Sequence, residues 1–278
     1  MNKRYTWRTF GHELVMLVLA AGFCLPLYIL ISVALKPNDQ LFTKPWEFPA
    51  QPDWGNFSEA WGERTDPTLT QSLLSSAIIT ISAVVILIVT GSLCSYVLAR
   101  RPGRLSNLLY VLFLLGIIVP FQLCIVPLYV GFRTAGITGT YLSMIILWVG
   151  VFMPLTVFLY TGFVRQLPRD YEESARVDGA GIFRIFFRVV FPLLRPVTGT
   201  VAIMTGLFIW NDFFASLVFL GGTQNATIPV AIYSFVGEYL TKWNLVFAVV
   251  IIALAPLVIF FVLAQKQMIR GFAGGIRG

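Results

Sequence analysis

The chain has 278 residues, of which 57% are hydrophobic and only 12% charged, with a formal net charge of +7 and a mean hydropathy of +0.81. Soluble domains carry about 45–50% apolar and about 25% charged residues, and a soluble globule of this size cannot hide so much apolar surface. The composition excludes an ordinary cytosolic enzyme, a disordered chain and a secreted disulfide scaffold, and it points to a membrane protein solvated largely by lipid. Cys24, Cys94 and Cys124 all lie in apolar runs and read as small buried hydrophobes, not as a disulfide framework or metal set. The single histidine, His12, has no Cys or His neighbour and reads as a polar residue at the membrane edge.

A bilayer core about 30 Å thick needs about 20 apolar residues per helical crossing, and six runs meet that length. Residues 1–13 precede the first run, Leu14 to Ala34. It is long and has no small-residue cleavage pattern after it, so it is expected to remain as a span and not to be removed as a signal peptide. A loop over about 35–71 follows, rich in proline and carrying Trp46, Trp54 and Trp61, whose rings suit a membrane-interface belt or a docking surface. The later runs are Ser72 to Leu98, Asn107 to Val130, Tyr141 to Phe163, Val197 to Leu220 and Leu245 to Ala264. Together they predict a six-helix membrane domain over 14–264, with a tail over 265–278. Pro26, Pro120, Pro127, Pro154 and Pro256 fall inside runs, which membrane helices tolerate. The Pro120–Pro127 pair is the best candidate for a real bend.

Orientation follows from the short connections. Fifteen of the twenty Lys and Arg fall on one side, among them Arg100, Arg101, Arg104, Arg165, Arg169 and Arg176; the other side holds Lys36, Lys44, Arg64, Arg133 and Lys242. The basic side is the cytoplasm, and an even number of crossings places both termini there. The same bias accounts for the positive charge, so no nucleic-acid partner is implied.

One cytoplasmic connection, about 164–196, is out of proportion. Pro168 can start a helix whose first turns are favoured by Asp170, Glu172 and Glu173. Gly179 and Gly181 allow a tight turn. A second short helix then runs toward Pro192, with Phe183, Phe186, Phe187 and Val190 at 3-and-4 spacing. Periodicity leaves two readings open: an amphipathic connector lying on lipid headgroups, or a protruding helix that fits a groove on a soluble partner.

The pattern Glu173-Ser174-Ala175, then Gly179, then Val189-Val190-Phe191-Pro192 resembles the EAA signature of bacterial ABC-importer permeases, with matching spacing from Glu173 to Gly179 to Pro192. Ser174, Val189 and Phe191 depart from its usual alanine, isoleucine and leucine. Asp178-Gly179-Ala180, Trp210-Asn211-Asp212-Phe213, Asn56-Phe57-Ser58-Glu59-Ala60-Trp61 and the ending Arg270 to Gly278 resemble the carbohydrate-uptake branch, in particular the maltose-transporter G-type permease, over essentially the whole chain.

That resemblance implies an all-α membrane protein of the type I importer permease fold in a bacterial inner membrane. It would form half of a sugar or oligosaccharide pathway with a second homologous permease. Two ATP-binding subunits, which would hold ATP and Mg, and an extracytoplasmic solute-binding protein would complete the complex. Glu173 would accept a charge-assisted contact from an ATPase arginine. Ala175 and Ala180 would keep the coupling helix narrow enough to seat, Gly179 would make its turn, and Ser174, Asp178 and Pro192 complete the coupling set. Asp178 is expected to hold the local turn or pair with a loop arginine. The tail from Gly271 would also reach the ATPase.

The chain lacks a phosphate loop and any Gly-Lys pair, so hydrolysis belongs to another chain, and this one binds no cofactor and is no catalyst. Asp212 is the single ionisable residue well inside an apolar run. With Asn211 it either lines the pathway or serves a gate or a helix–helix hydrogen bond. Glycerol-3-phosphate or a related polyol is the alternative cargo, and a stand-alone secondary transporter is the competing class.

Overall fold

The computed structural model describes residues 7–62, 66–101, 103–238 and 242–275. Every regular element among them is helical. The chain divides into two compact units, one from Met1–Thr65 with Ile232–Pro256 and the other from Asp66–Ala231 with Leu257–Gly278.

In the first unit, helix α1 (Trp7–Ala34) runs through Pro26 unbroken. Its apolar side chains over 14–28, Cys24 included, are exposed, so Cys24 is not the buried hydrophobe expected from its run. An exposed apolar stretch of this length is suited to lipid or to a neighbouring subunit. The following segment folds around a buried cation. Lys36 is 1% exposed, and its ammonium donates to the carbonyls of Lys44 at 2.7 Å and Pro45 at 3.1 Å. Burial pushes its pKa down, and Glu47 opposes that shift. Helix α2 (Gly55–Gly62) contains the Asn56-to-Trp61 motif. The Asn56 amide donates to the carbonyls of Ala34 and Lys36, and its oxygen accepts from Asn244 at 2.8 Å. That motif residue is therefore a clasp between chain segments, while Trp46, Trp54 and Trp61 remain exposed.

The second unit is built on α3 (Leu69–Arg100) and α6 (Tyr141–Gln166). Thr68 and Gln71 form a reciprocal capping box that starts α3. Small residues bring the two backbones together, as lipid-solvated bundles require: Ser95 donates to the Val157 carbonyl at 3.2 Å, and a Cβ on Gly91 would meet the Thr156 methyl at 2.3 Å. One apolar cluster around Trp148, Ile79 and Phe219 fills one region of this unit, and another around Tyr160, Phe186 and Val201 fills a second.

Two of the expected spans are not straight. The third run divides into α4 (Arg104–Ile118) and α5 (Phe121–Thr134), bent by 100°. The break falls at Pro120, which has no N–H to donate and drives Val119 into an extended conformation; Pro127 stays inside α5. The fifth run divides into α10 (Arg195–Asn211) and α11 (Phe214–Leu220). A helix the run pattern did not anticipate, α12 (Ile228–Glu238), precedes α13 (Trp243–Gly275). The latter joins the sixth run to most of the expected tail, and residues 276–278 lie outside the described ones. Among the described residues three helices are long and apolar enough to cross a membrane, five if α4 with α5 and residues 182–193 with α10 each count as one bent crossing.

Candidate functional site

The out-of-proportion connection contains α7 (Asp170–Val177), α8 (Ile182–Ile185), a π-helical turn over Phe186–Val190, and α9 (Phe191–Leu193). Residues 182–193 meet α10 at 73°. Helix α7 carries three acidic residues in its first turn and Arg176 in its last, which complements its dipole. It ends in a Schellman motif: the Ala180 N–H reaches the Ala175 carbonyl and the Gly179 N–H reaches that of Arg176, both at 3.0 Å. Gly179 supplies the positive φ of 76° that this closure needs.

The adjacent glutamates part ways. Glu172 is buried and accepts from the Tyr96 hydroxyl at 2.8 Å and from Arg100 Nε at 2.7 Å. A second nitrogen of Arg100 donates to the Leu167 carbonyl. A buried carboxylate, guanidinium and phenol thus fasten α7 to the end of α3. Glu173 faces outward and is exposed, as are Ser174 and Asp178. The sequence reading singled out Glu173 and missed Glu172, Arg100 and Tyr96. The available signal was spacing, because Glu172 shares a helix face with Ala175 three residues on.

Ala175 and Ala180 are half-buried against the Tyr160–Phe186 cluster, so their small size serves packing within this chain as well as outer clearance. Pro192 is half-buried at the start of α9. The Asp178 backbone N–H donates to the Ser174 carbonyl, and its side chain is exposed at the turn. The expected aromatic stripe does not hold as one face. Phe186 and Val190 are buried with Ile185 and Leu194, whereas Phe183 is 72% exposed and Phe187 is exposed with it. The five-residue π turn rotates the register across this stretch. Val177, one turn from Glu173 on α7, is 88% exposed, so the loop presents several apolar side chains outward.

Asp212 is also buried, and its oxygens are occupied. They accept from the backbone of Ala215 at 3.2 Å and of Ser216 at 2.8 Å, and from the Ser216 hydroxyl at 3.0 Å. The carboxylate therefore caps α11 at the break in the fifth run. Asn211 is exposed and donates to the Leu207 carbonyl one turn back. A cavity of about 600 Å³ lies at the α4–α5 bend, lined mostly by apolar residues including Pro120, Phe121 and Pro154; neither Asn211 nor Asp212 reaches it. Among the described residues no three His, Cys, Asp or Glu gather as a metal site.

The family model described as "binding-protein-dependent transport system inner membrane component" matches residues 87–273, a stretch that takes in the pinned loop and the bundle that carries it. The chain belongs to this permease family. The permease is 40% identical to the melibiose/raffinose/stachyose import permease protein MelC of Bacillus subtilis (strain 168), over 94% of each chain. It is 31% identical to the diacetylchitobiose uptake system permease protein NgcG of Streptomyces coelicolor, over 95% of this chain and 87% of that one. Its fold matches a chain in the crystal structure of a bacterial ABC transporter involved in the import of the acidic polysaccharide alginate. The TM-score is 0.77 at 19% identity, covering 95% of this permease and 99% of that chain. It is accordingly a multi-pass inner-membrane transport component and not an enzyme.

Proposed function

We propose that this permease forms half of the pathway of an ATP-driven oligosaccharide importer and engages a separate ATP-binding subunit through α7 and the turn that follows. In this reading the polypeptide crosses the membrane six times with both termini in the cytoplasm, counting the bent α4–α5 pair as one crossing and α10 with α11 as another. A second permease completes the pathway, two ATPase subunits hold ATP and Mg, and an extracytoplasmic binding protein delivers sugar. The relatives named for melibiose, raffinose, stachyose and diacetylchitobiose support a small oligosaccharide as cargo.

The observation that carries the reading is the contrast between two neighbouring carboxylates, Glu172 buried and paired, Glu173 exposed. Glu172 anchors α7 inward, which leaves Glu173 on a rigid mount, exposed as are Ser174, Val177 and Asp178. A fixed outward carboxylate is suited to a charge-assisted hydrogen bond from a partner's arginine, about twice as strong as a neutral one. Gly179 sets the direction of the turn, while Ala175, Ala180 and Pro192 seat the motif on its own bundle. In this reading Asn211, an exposed polar side chain at the break in the fifth run, is a pathway residue, and Asp212 has the role of holding that break in shape.

The test is the assembled importer carrying Glu173→Lys or Gly179→Val. Sugar-stimulated ATP hydrolysis and uptake of raffinose fall together in both variants while the complex remains folded. Wild-type coupling in both variants overturns the proposal.

A further inference from the structure

The end of α3 and the adjoining face of α7 enclose a pocket of about 270 Å³. Arg100, Arg101, Arg169 and Arg176 line it, along with Glu172 and Glu173. Glu172 is spent on Arg100, at 2.7 Å. Among the described residues no ion pair holds Arg101, Arg169 or Arg176, so three exposed arginines line one small concavity, and Glu173 is the other carboxylate in its lining. Like charges gathered on a concave wall raise the local positive potential and draw in an anion.

We propose that this pocket binds a phosphate group, carried by an anionic phospholipid headgroup or free in solution. Guanidinium forks match phosphate oxygens two at a time. The rim supplies what a lipid needs beyond its phosphate: Val97 and Ile182 border the pocket and are 46% and 51% exposed, an apolar edge beside the end of a membrane helix. The cytoplasmic leaflet is anionic, and basic pockets at its surface hold such headgroups. An occupant would bridge α3 to α7 beside the Glu172 anchor and so brace the helix that presents Glu173. The inference rests on the cytoplasmic placement of this loop, under the proposed function.

The test uses the complete importer in phosphatidylcholine nanodiscs, titrated with phosphatidylglycerol and, separately, with inorganic phosphate. Retained lipid is read by native mass spectrometry and loop protection by hydrogen exchange over 170–180. Arg101→Gln with Arg176→Gln is expected to weaken phosphatidylglycerol binding about thirtyfold and to abolish lipid-dependent protection. Arg101→Lys with Arg176→Lys keeps the charge and retains part of the binding. Inorganic phosphate that protects the loop and displaces the lipid identifies a site open to either source, whereas lipid that resists phosphate identifies the headgroup. Equal binding in wild type and the Gln variant, with neither ligand changing protection, overturns the inference. If sugar-stimulated hydrolysis still depends on Glu173 in that case, the coupling reading survives. If labelling from the cytoplasmic side fails to reach Glu173→Cys, the coupling reading fails first.

Discussion

Replacing Glu172 by alanine separates mounting from coupling. The carboxylate holds Arg100 and Tyr96, and the side chains of the ion pair are only 12% and 8% exposed, so solvent screens it little. Removing one partner of a buried pair costs about 3–5 kcal/mol. Arg100 keeps its bond to the Leu167 carbonyl at 3.0 Å, which places the cost near the lower end, about 3 kcal/mol or roughly a hundredfold in the opening equilibrium. Hydrogen exchange at the amides of 172–180 in the purified importer reads that opening directly. Protection is expected to fall about a hundredfold in Glu172→Ala, with Glu172→Gln in between because it keeps an acceptor without the charge. Glu173→Gln is exposed and is expected to leave protection within about 0.5 kcal/mol of wild type while sugar-stimulated hydrolysis drops. If Glu173→Gln loosens the loop as much as Glu172→Ala, or if Glu172→Ala leaves exchange unchanged, the division of labour between the two carboxylates is wrong.

Gly91→Ala is expected to destabilise the α3–α6 pair by about 1–3 kcal/mol through overpacking against the Thr156 methyl; adding Thr156→Ser removes that methyl, and thermal unfolding in detergent should recover much of the loss. Asp212→Ala is expected to cost about 1–2 kcal/mol as a lost helix cap, with Asp212→Asn restoring most of it. Uptake selectivity that shifts in a stably folded Asp212→Asn would instead mark the carboxylate as a cargo contact. Lys36→Met removes two charge-assisted bonds to carbonyls, each worth about 1.5–3 kcal/mol, and limited proteolysis should then cut within 37–50 faster than in wild type.

Much of the architecture was legible in the sequence because lipid imposes a simple rule. A run of about 20 apolar residues must satisfy its own backbone, and a helix is the means. Proline chemistry was legible as well: the Pro120–Pro127 pair marked the third run as bent, although only packing showed that Pro120 makes the break and Pro127 rides inside α5. The Glu173–Gly179–Pro192 spacing located the loop, and the positive φ at Gly179 agrees with the turn read there. The fifth run reads as continuous because hydrophobicity registers Asp212 only as one charge among apolar neighbours. Its carboxylate competes for backbone N–H groups and starts a new helix, an effect that hydrophobicity along the run does not register.

The sequence by itself determined the solvent of this protein, the positions of its apolar helices and the place where charge breaks out of them, since these follow from composition and local backbone chemistry. Only the tertiary structure decided which of two adjacent glutamates turns inward, because that choice depends on Tyr96 and Arg100, more than 70 residues away along the chain and brought alongside by the packing of α3 on α6. The same holds for Lys36 and Asn56, whose polar groups are satisfied by carbonyls and amides that meet only in the folded chain.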